Sequence, residues 1–188
     1  MTMKSEGSSP HEKLMGSQEP SVRIAPEYIH TDGEDAVKIL AAGRLFVDPW
    51  QEGILHDWMG RTEEEIWSAP TCGLSVPRQN GKTLDTSGRI ASGMVMYAEW
   101  IVYTAHLQKT ATETFMELKG LFESRGLKKY VKEIKTALGR EQIILKNGGR
   151  VVFVARTRNG GRGLHGDLLV FDEAQELTSE QQASFLPA

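Results

Sequence analysis

From residue 26 onward the chain alternates between apolar runs of two periods. In "HTDGEDAVKILAAGRL" a capping box of Thr31 with Glu34 precedes an apolar-periodic run closed by Gly43, which predicts a short helix. In "VDPWQEGILHDWMG" Asp48 caps, Pro49 takes the first helical position, Ile54, Leu55 and Trp58 share a face, and Gly60 ends the run. "TCGLSVP" reads as a short apolar strand running into a loop. Leu84 to Glu99 then reads as a helix despite Gly88 and Gly93.

"EWIVYTA" has the unbroken apolar character of a buried strand, and "LQKTATETFMELKGLFESRG" the period of an amphipathic helix ending at Gly126. "GLKKYVKEIKTALG" reads as another basic helix or turn. "EQIILKNGGRVVFVART" is two β-rich runs around Asn147-Gly148-Gly149, a hairpin signal. After the glycine-rich "RNGGRGLHGD" comes "LLVFDEAQ", an apolar strand ending in two acids. Strands of this kind alternating with helices predict an α/β fold with a mainly parallel central sheet and helices on both faces.

Composition narrows the class only slightly. The 188 residues with a net charge of -3 fit one globular domain and carry no global polyanion-binding signature. The average conceals a basic segment, however: between Arg125 and Arg162 eleven lysines and arginines face only Glu133 and Glu141. Cys72 is the only cysteine, so neither an intrachain disulfide nor a cysteine-built metal site is available, and burial as a small hydrophobe is its expected role. The polar first 25 residues are expected to form a disordered arm, and no apolar run is long enough for a membrane span.

The chemistry concentrates in two places. Gly81-Lys82-Thr83 ends the stretch "LSVPRQNGKTL" just where a helix is predicted to start. That is the second half of a phosphate-binding loop: backbone N–H groups surround phosphates, the lysine reaches β and γ oxygens, and the hydroxyl holds magnesium. Alone, the tripeptide reads more readily as a lysine on the first turn of any helix. Ninety residues further on, Asp172 and Glu173 stand at the end of an apolar strand, as a Walker B segment requires, the first acid for Mg2+ and the second to activate water. Together the two motifs predict a P-loop NTPase of the additional-strand, catalytic-glutamate type.

The loop lacks its usual first glycine, having Val76 there, and reads "PRQNGKT". With "RNGGRGLHGD" ahead of the acids, the pattern from Phe46 to Leu186 resembles the ATPase domain of the large terminase subunit of tailed bacteriophages. The resemblance implies an ATP and Mg2+ site formed by Pro77, Arg78, Gln79, Asn80, Gly81, Lys82 and Thr83. Metal falls to Thr83 and Asp172, and catalysis to Glu173, Arg78 and Arg162. Gln51 matches the family's adenine-reading glutamine, its alternative being a surface glutamine on a helix. Arg78 matches an arginine that senses or stabilises the γ-phosphate. Arg162 is the candidate finger toward a neighbouring subunit, with Arg156 and Arg158 as rivals and contact with DNA phosphates as the other reading of that loop. A structural role is expected for His165.

The same resemblance implies double-stranded DNA, a terminase small subunit and a portal protein as partners, a homo-oligomeric ring, and the host cytoplasm as location. The basic stretch from Arg125 to Arg150 reads either as a DNA footprint or as a solvated face, and Thr104, Gln108 and Lys109 are weaker candidates near phosphate or DNA. A terminase normally carries a nuclease domain after the ATPase, and no such domain fits between Glu173 and Ala188. Residues 26–188 are therefore expected to form an incomplete ATPase domain with a bare sheet edge, weak turnover in isolation and no nuclease activity. Two competing readings are a helicase-like translocase, favoured by "DEAQ" and disfavoured by Val76 with Arg78, and a non-catalytic binding module built on the same fold.

Overall fold

The computed structural model describes residues 16–77, 80–156 and 165–181. Regular structure begins with β1 (His30–Thr31), which pairs antiparallel with β2 (Gly60–Arg61) around the helices α1 (Gly33–Ala42) and α2 (Pro49–Trp58). Residues 16–29 run irregularly, yet Arg23 of this approach donates from Nη2 and Nε to the two carboxylate oxygens of Asp57 at 2.6 and 2.7 Å. The anticipated Thr31–Glu34 box does not form. Thr31 is drawn into β1, where its hydroxyl donates to the His56 carbonyl at 2.6 Å and accepts from Gly33 N–H. Asp32 takes the cap position, and its carboxylate turns to Arg61 and the Tyr97 hydroxyl instead. The second helix does begin with a box, Asp48 with Gln51, and Pro49 stands at its first turn. It ends at Trp58 and is capped by Met59, while Gly60 belongs to β2.

The main sheet has five strands in the order β4 (Val131–Lys135), β5 (Gln142–Leu145), β6 (Arg150–Ala155), β3 (Trp100–Ala105), β7 (Leu168–Phe171). Its β6-β3-β7 half is parallel and its β4-β5-β6 half antiparallel, so the sheet is mixed rather than mainly parallel. The cause is local. Asn147-Gly148-Gly149 turns β5 straight back into β6, with Asn147 accepting from Gly149 N–H and Gly148 at φ 100°. β4 stands where "GLKKYVKEIKTALG" reads as a basic helix or turn; only Lys128–Tyr130 of it is helical, as a 3-10 turn. It lies on the outer edge with Lys132, Glu133 and Lys135 exposed, a charged edge of the kind that discourages further pairing.

α3 (Lys82–Tyr97) and α4 (Gln108–Glu123) pack on the sheet face that carries Ile101, Tyr103, Val151 and Phe153. Phe115 of α4 meets Phe153 edge-on at 5.4 Å, and Asn147 at the β5–β6 turn donates to Met94 and Val95 carbonyls of α3. α1 and α2 close the far side of α3 with Ala36, Leu40, Leu55 and Met59, each fully buried. The opposite sheet face, with Val102, Val152, Val154, Leu169 and Phe171, stands outside this core. Helical cover, expected on both faces, is thus found on one among the described residues.

Glycines 88 and 93 let α3 do this. A Cβ on Gly88 would stand 2.9 Å from Leu40 and 3.1 Å from Leu55, and one on Gly93 would collide with Glu99 and lie 2.6 Å from Arg89 Nη1. "TCGLSVP" forms no strand: residues 72–77 are irregular, and Cys72 is exposed rather than buried. No helix among the described residues is long and apolar enough to cross a membrane.

Candidate functional site

α3 starts at Lys82 because Gly81, its N-cap, adopts the left-handed conformation at φ 79°. The first N–H groups of a helix have no carbonyl partner within it and collect positive potential, which suits an anion. Lys82 and the half-buried Thr83 stand on this first turn, with Asn80 and Pro77 exposed ahead of it. Arg78, Gln79 and Arg162 lie outside the described residues, as does Arg158.

β7 delivers the acids. It pairs in parallel with β3, and the ladder continues one residue past its end, where Asp172 N–H donates to the Thr104 carbonyl at 2.9 Å. Glu173 then turns left-handed at φ 51° and opens a 3-10 turn, Ala174–Glu176.

The two stretches meet: Lys82 Nζ lies 2.6 Å from Asp172 Oδ1. The same oxygen accepts Glu173 N–H at 2.9 Å, while Oδ2 accepts the Tyr103 hydroxyl at 2.6 Å. Burial alone would push the Asp172 carboxyl upward, but the Lys82 and Tyr103 bonds outweigh it and hold the group below the ordinary aspartate range. Tyr103 titrates far above its usual value, from burial first and then from the neighbouring Asp172 charge. Its hydroxyl also meets Thr114 of α4 at 2.9 Å, so helix, central strand and acid are joined through one phenol.

Gln51 is only 3% exposed, and its amide is engaged at both ends. Its oxygen accepts Asp48 N–H at 2.9 Å, and its nitrogen donates to the Gly81 carbonyl at 3.1 Å. It is therefore not a surface residue but a brace between the start of α2 and the loop, and a Cβ on Gly81 would press on it at 3.0 Å. Beside it, Asp85 is fully buried with neither carboxylate oxygen hydrogen-bonded. Burial lifts its pKa to about 7, against a smaller lowering pull from the Gln51 amide.

Arg156, read as a rival finger, is 4% exposed and bound within its own chain. Its Nη1 donates to the Thr104 carbonyl and hydroxyl at 3.1 and 3.3 Å, and its Nη2 to the Glu173 carbonyl at 3.0 Å. Thr104 is buried as part of this arrangement, its hydroxyl donating to the Val170 carbonyl at 3.0 Å. Gln108 reaches toward the buried Glu141, Lys109 pairs with Glu113 at an exposed position, and His165 is exposed. Tyr103 and Asp85 carried no sequence signal: one sits mid-strand among apolar neighbours, the other looks like an ordinary first-turn acid.

A surface cavity of about 330 Å3, lined by Lys38, Val95, Met96, Leu127 and Tyr130 among others, opens at the other end of α3, away from Lys82. Its lining contains none of the acids or the lysine just described. Compared with protein-family models, with curated proteins and with solved structures, the chain has no match in any of the three.

Proposed function

We propose that the chain is the ATP-hydrolysing domain of a phage DNA-packaging motor, a terminase large subunit that couples ATP hydrolysis to movement of double-stranded DNA into a procapsid. The observation that carries the nucleotide part is the Lys82–Asp172 contact at 2.6 Å, which joins a helix-start lysine to a strand-end acid ninety residues away. In a phosphate-binding site the lysine and the metal-holding acid must share one small volume, since phosphate and metal lie between them. The donor set fits both. Lys82 and the free N–H groups of α3 suit phosphate oxygens, and the Thr83 hydroxyl with the Asp172 carboxylate supplies the hard oxygens magnesium prefers.

The roles follow from placement. Lys82, which now contacts Asp172, would be the residue to reach phosphate oxygens, and Asp172 with Thr83 would hold Mg2+. Bound magnesium supplies charge neutralisation at the phosphates. Glu173, one residue beyond, takes the proton of the attacking water, and Arg78 answers to the γ-phosphate. Gln51 keeps one amide N–H and one oxygen lone pair beyond the bonds to Gly81 and Asp48, and recognition of adenine would use these.

The assignment to a terminase rests on "PRQNGKT" and "RNGGRGLHGD" in the sequence. It brings with it the small subunit, the portal protein, a homo-oligomeric ring and the host cytoplasm.

Glu173→Gln is the test of the hydrolytic step. In a single-turnover assay with the chain in excess over labelled ATP, the variant is expected to bind MgATP as the wild type does and to release phosphate at least about a hundredfold more slowly. Wild-type phosphate release by Glu173→Gln would remove that residue from the chemistry.

A further inference from the structure

Glu173 is one of four non-glycine residues in the left-handed region among those described, and it stands directly after a strand-end acid. Such a backbone persists only where its surroundings hold it. Here both of its peptide groups are held. Its N–H is taken by Asp172 Oδ1 at 2.9 Å, and its carbonyl by Arg156 Nη2 at 3.0 Å together with Glu176 N–H at 3.0 Å. Arg156 is in turn anchored at the end of β3 by the Thr104 carbonyl and hydroxyl, and its own backbone by N–H donation to the Ala105 carbonyl at 2.8 Å. Gln181 completes the set by donating to the Arg156 carbonyl at 3.2 Å. A guanidinium can bridge two carbonyls in this way because its donors diverge in a rigid plane, which an ammonium cannot match.

We propose that Arg156 is a positioning residue for Glu173: by clasping the Glu173 carbonyl to the end of β3 it fixes the direction in which that carboxylate leaves the backbone. It serves its own subunit and is not a finger for a neighbour, since its guanidinium is buried among groups of its own chain. The proposal rests on the nucleotide-site reading above. Loss of the clasp is expected to leave phosphate and metal binding intact, because Arg156 makes no hydrogen bond to Lys82, Thr83 or Asp172 and shares with Asp172 only the Thr104 carbonyl. What is lost is the fixed aim of the base, which matters only when water and phosphate are brought together.

The test compares two affinities on the full chain, for MgADP and for MgADP with aluminium fluoride, which imitates the phosphoryl group in transfer. The quantity read is their ratio, which a change in the folded fraction leaves unaltered. In Arg156→Lys and Arg156→Gln, MgADP affinity is expected to stay within about twofold and the gain from aluminium fluoride to fall by about tenfold or more. Thr104→Val, which removes the hydroxyl that accepts from Arg156 and also its bond to the Val170 carbonyl, is expected to lower the gain in the same direction with MgADP affinity kept, and decides the matter if both Arg156 variants fail to fold. An unchanged ratio in every folded variant overturns the proposal and leaves the nucleotide site standing, as does a wild type that binds MgADP with no gain from aluminium fluoride. A wild type that binds neither ligand overturns both.

Discussion

Asp85 is a carboxyl group with no hydrogen-bond partner at full burial, one turn into the helix that carries Lys82. Its folded pKa near 7 lies above the ordinary 3.8, so between those values the folded chain holds a proton that the unfolded chain has lost. Stability from this group therefore falls as pH rises through that window, and above 7 a buried charge is left uncompensated. Asp85→Asn, close in shape and neutral at every pH, is expected to stabilise the chain at pH 8.5 by roughly 2 kcal/mol and to have little effect at pH 4. Thermal unfolding at the two pH values checks this, and an equal shift at both would show that the acid is not ionising in place. Asp172 is treated in the opposite way, since Lys82 and Tyr103 hold its carboxyl below the ordinary aspartate range. Two aspartates thus shift in opposite directions, one raised by burial and the other held down by Lys82 and Tyr103.

At the scale of elements, α3 is tied to the entrance of β3 by a buried ion pair. Arg89 donates to both oxygens of Glu99 at 2.7 and 3.0 Å, and its guanidinium lies 4.6 Å from the centre of the Trp67 ring. Gly93 leaves the space this pair occupies. Alanine is the better helix former by about 1 kcal/mol, yet Gly93→Ala is expected to destabilise the chain, because its methyl would displace Glu99 from Arg89. Urea unfolding should show a loss of about 2 kcal/mol or more, in the range for disturbing a buried pair; a gain in stability would mean the pair yields freely.

The helices, the hairpin and the acid-ended strand were legible from period and turn chemistry alone. β4 was not, because Tyr130, Val131 and Ile134 satisfy helical and strand spacing alike, and pairing with β5 decides between them. Nor was the fate of "TCGLSVP". An apolar run becomes a strand only beside a neighbour, and β7 pairs on one side with β3 while residues 72–77 make no ladder with either. In the candidate site, Lys82 and Asp172 are picked out by residue type and spacing, and the fold brings them into contact. Gln51 was legible as a functional candidate but not as a brace, and Tyr103 and Arg156 became visible only when β3, β6 and β7 lay side by side.

Among the described residues, the five strands of the main sheet and four α-helices bring a helix start and a strand end together at one rim of the sheet. β3 is central to this: its Tyr103 and Thr104 face opposite sides of the sheet, the first holding Asp172 and the second anchoring Arg156. The fold thus positions the two acids from both faces, while Lys82 reaches Asp172 from α3. Everything proposed about motor action depends on this rim binding a nucleotide. Isothermal calorimetry of MgATP with the wild-type chain and with Lys82→Ala measures that most directly. Measurable binding by the wild type, weakened about a hundredfold or abolished in Lys82→Ala, is the predicted result. Equal affinity in the two proteins, or no binding by a folded wild type, would contradict it.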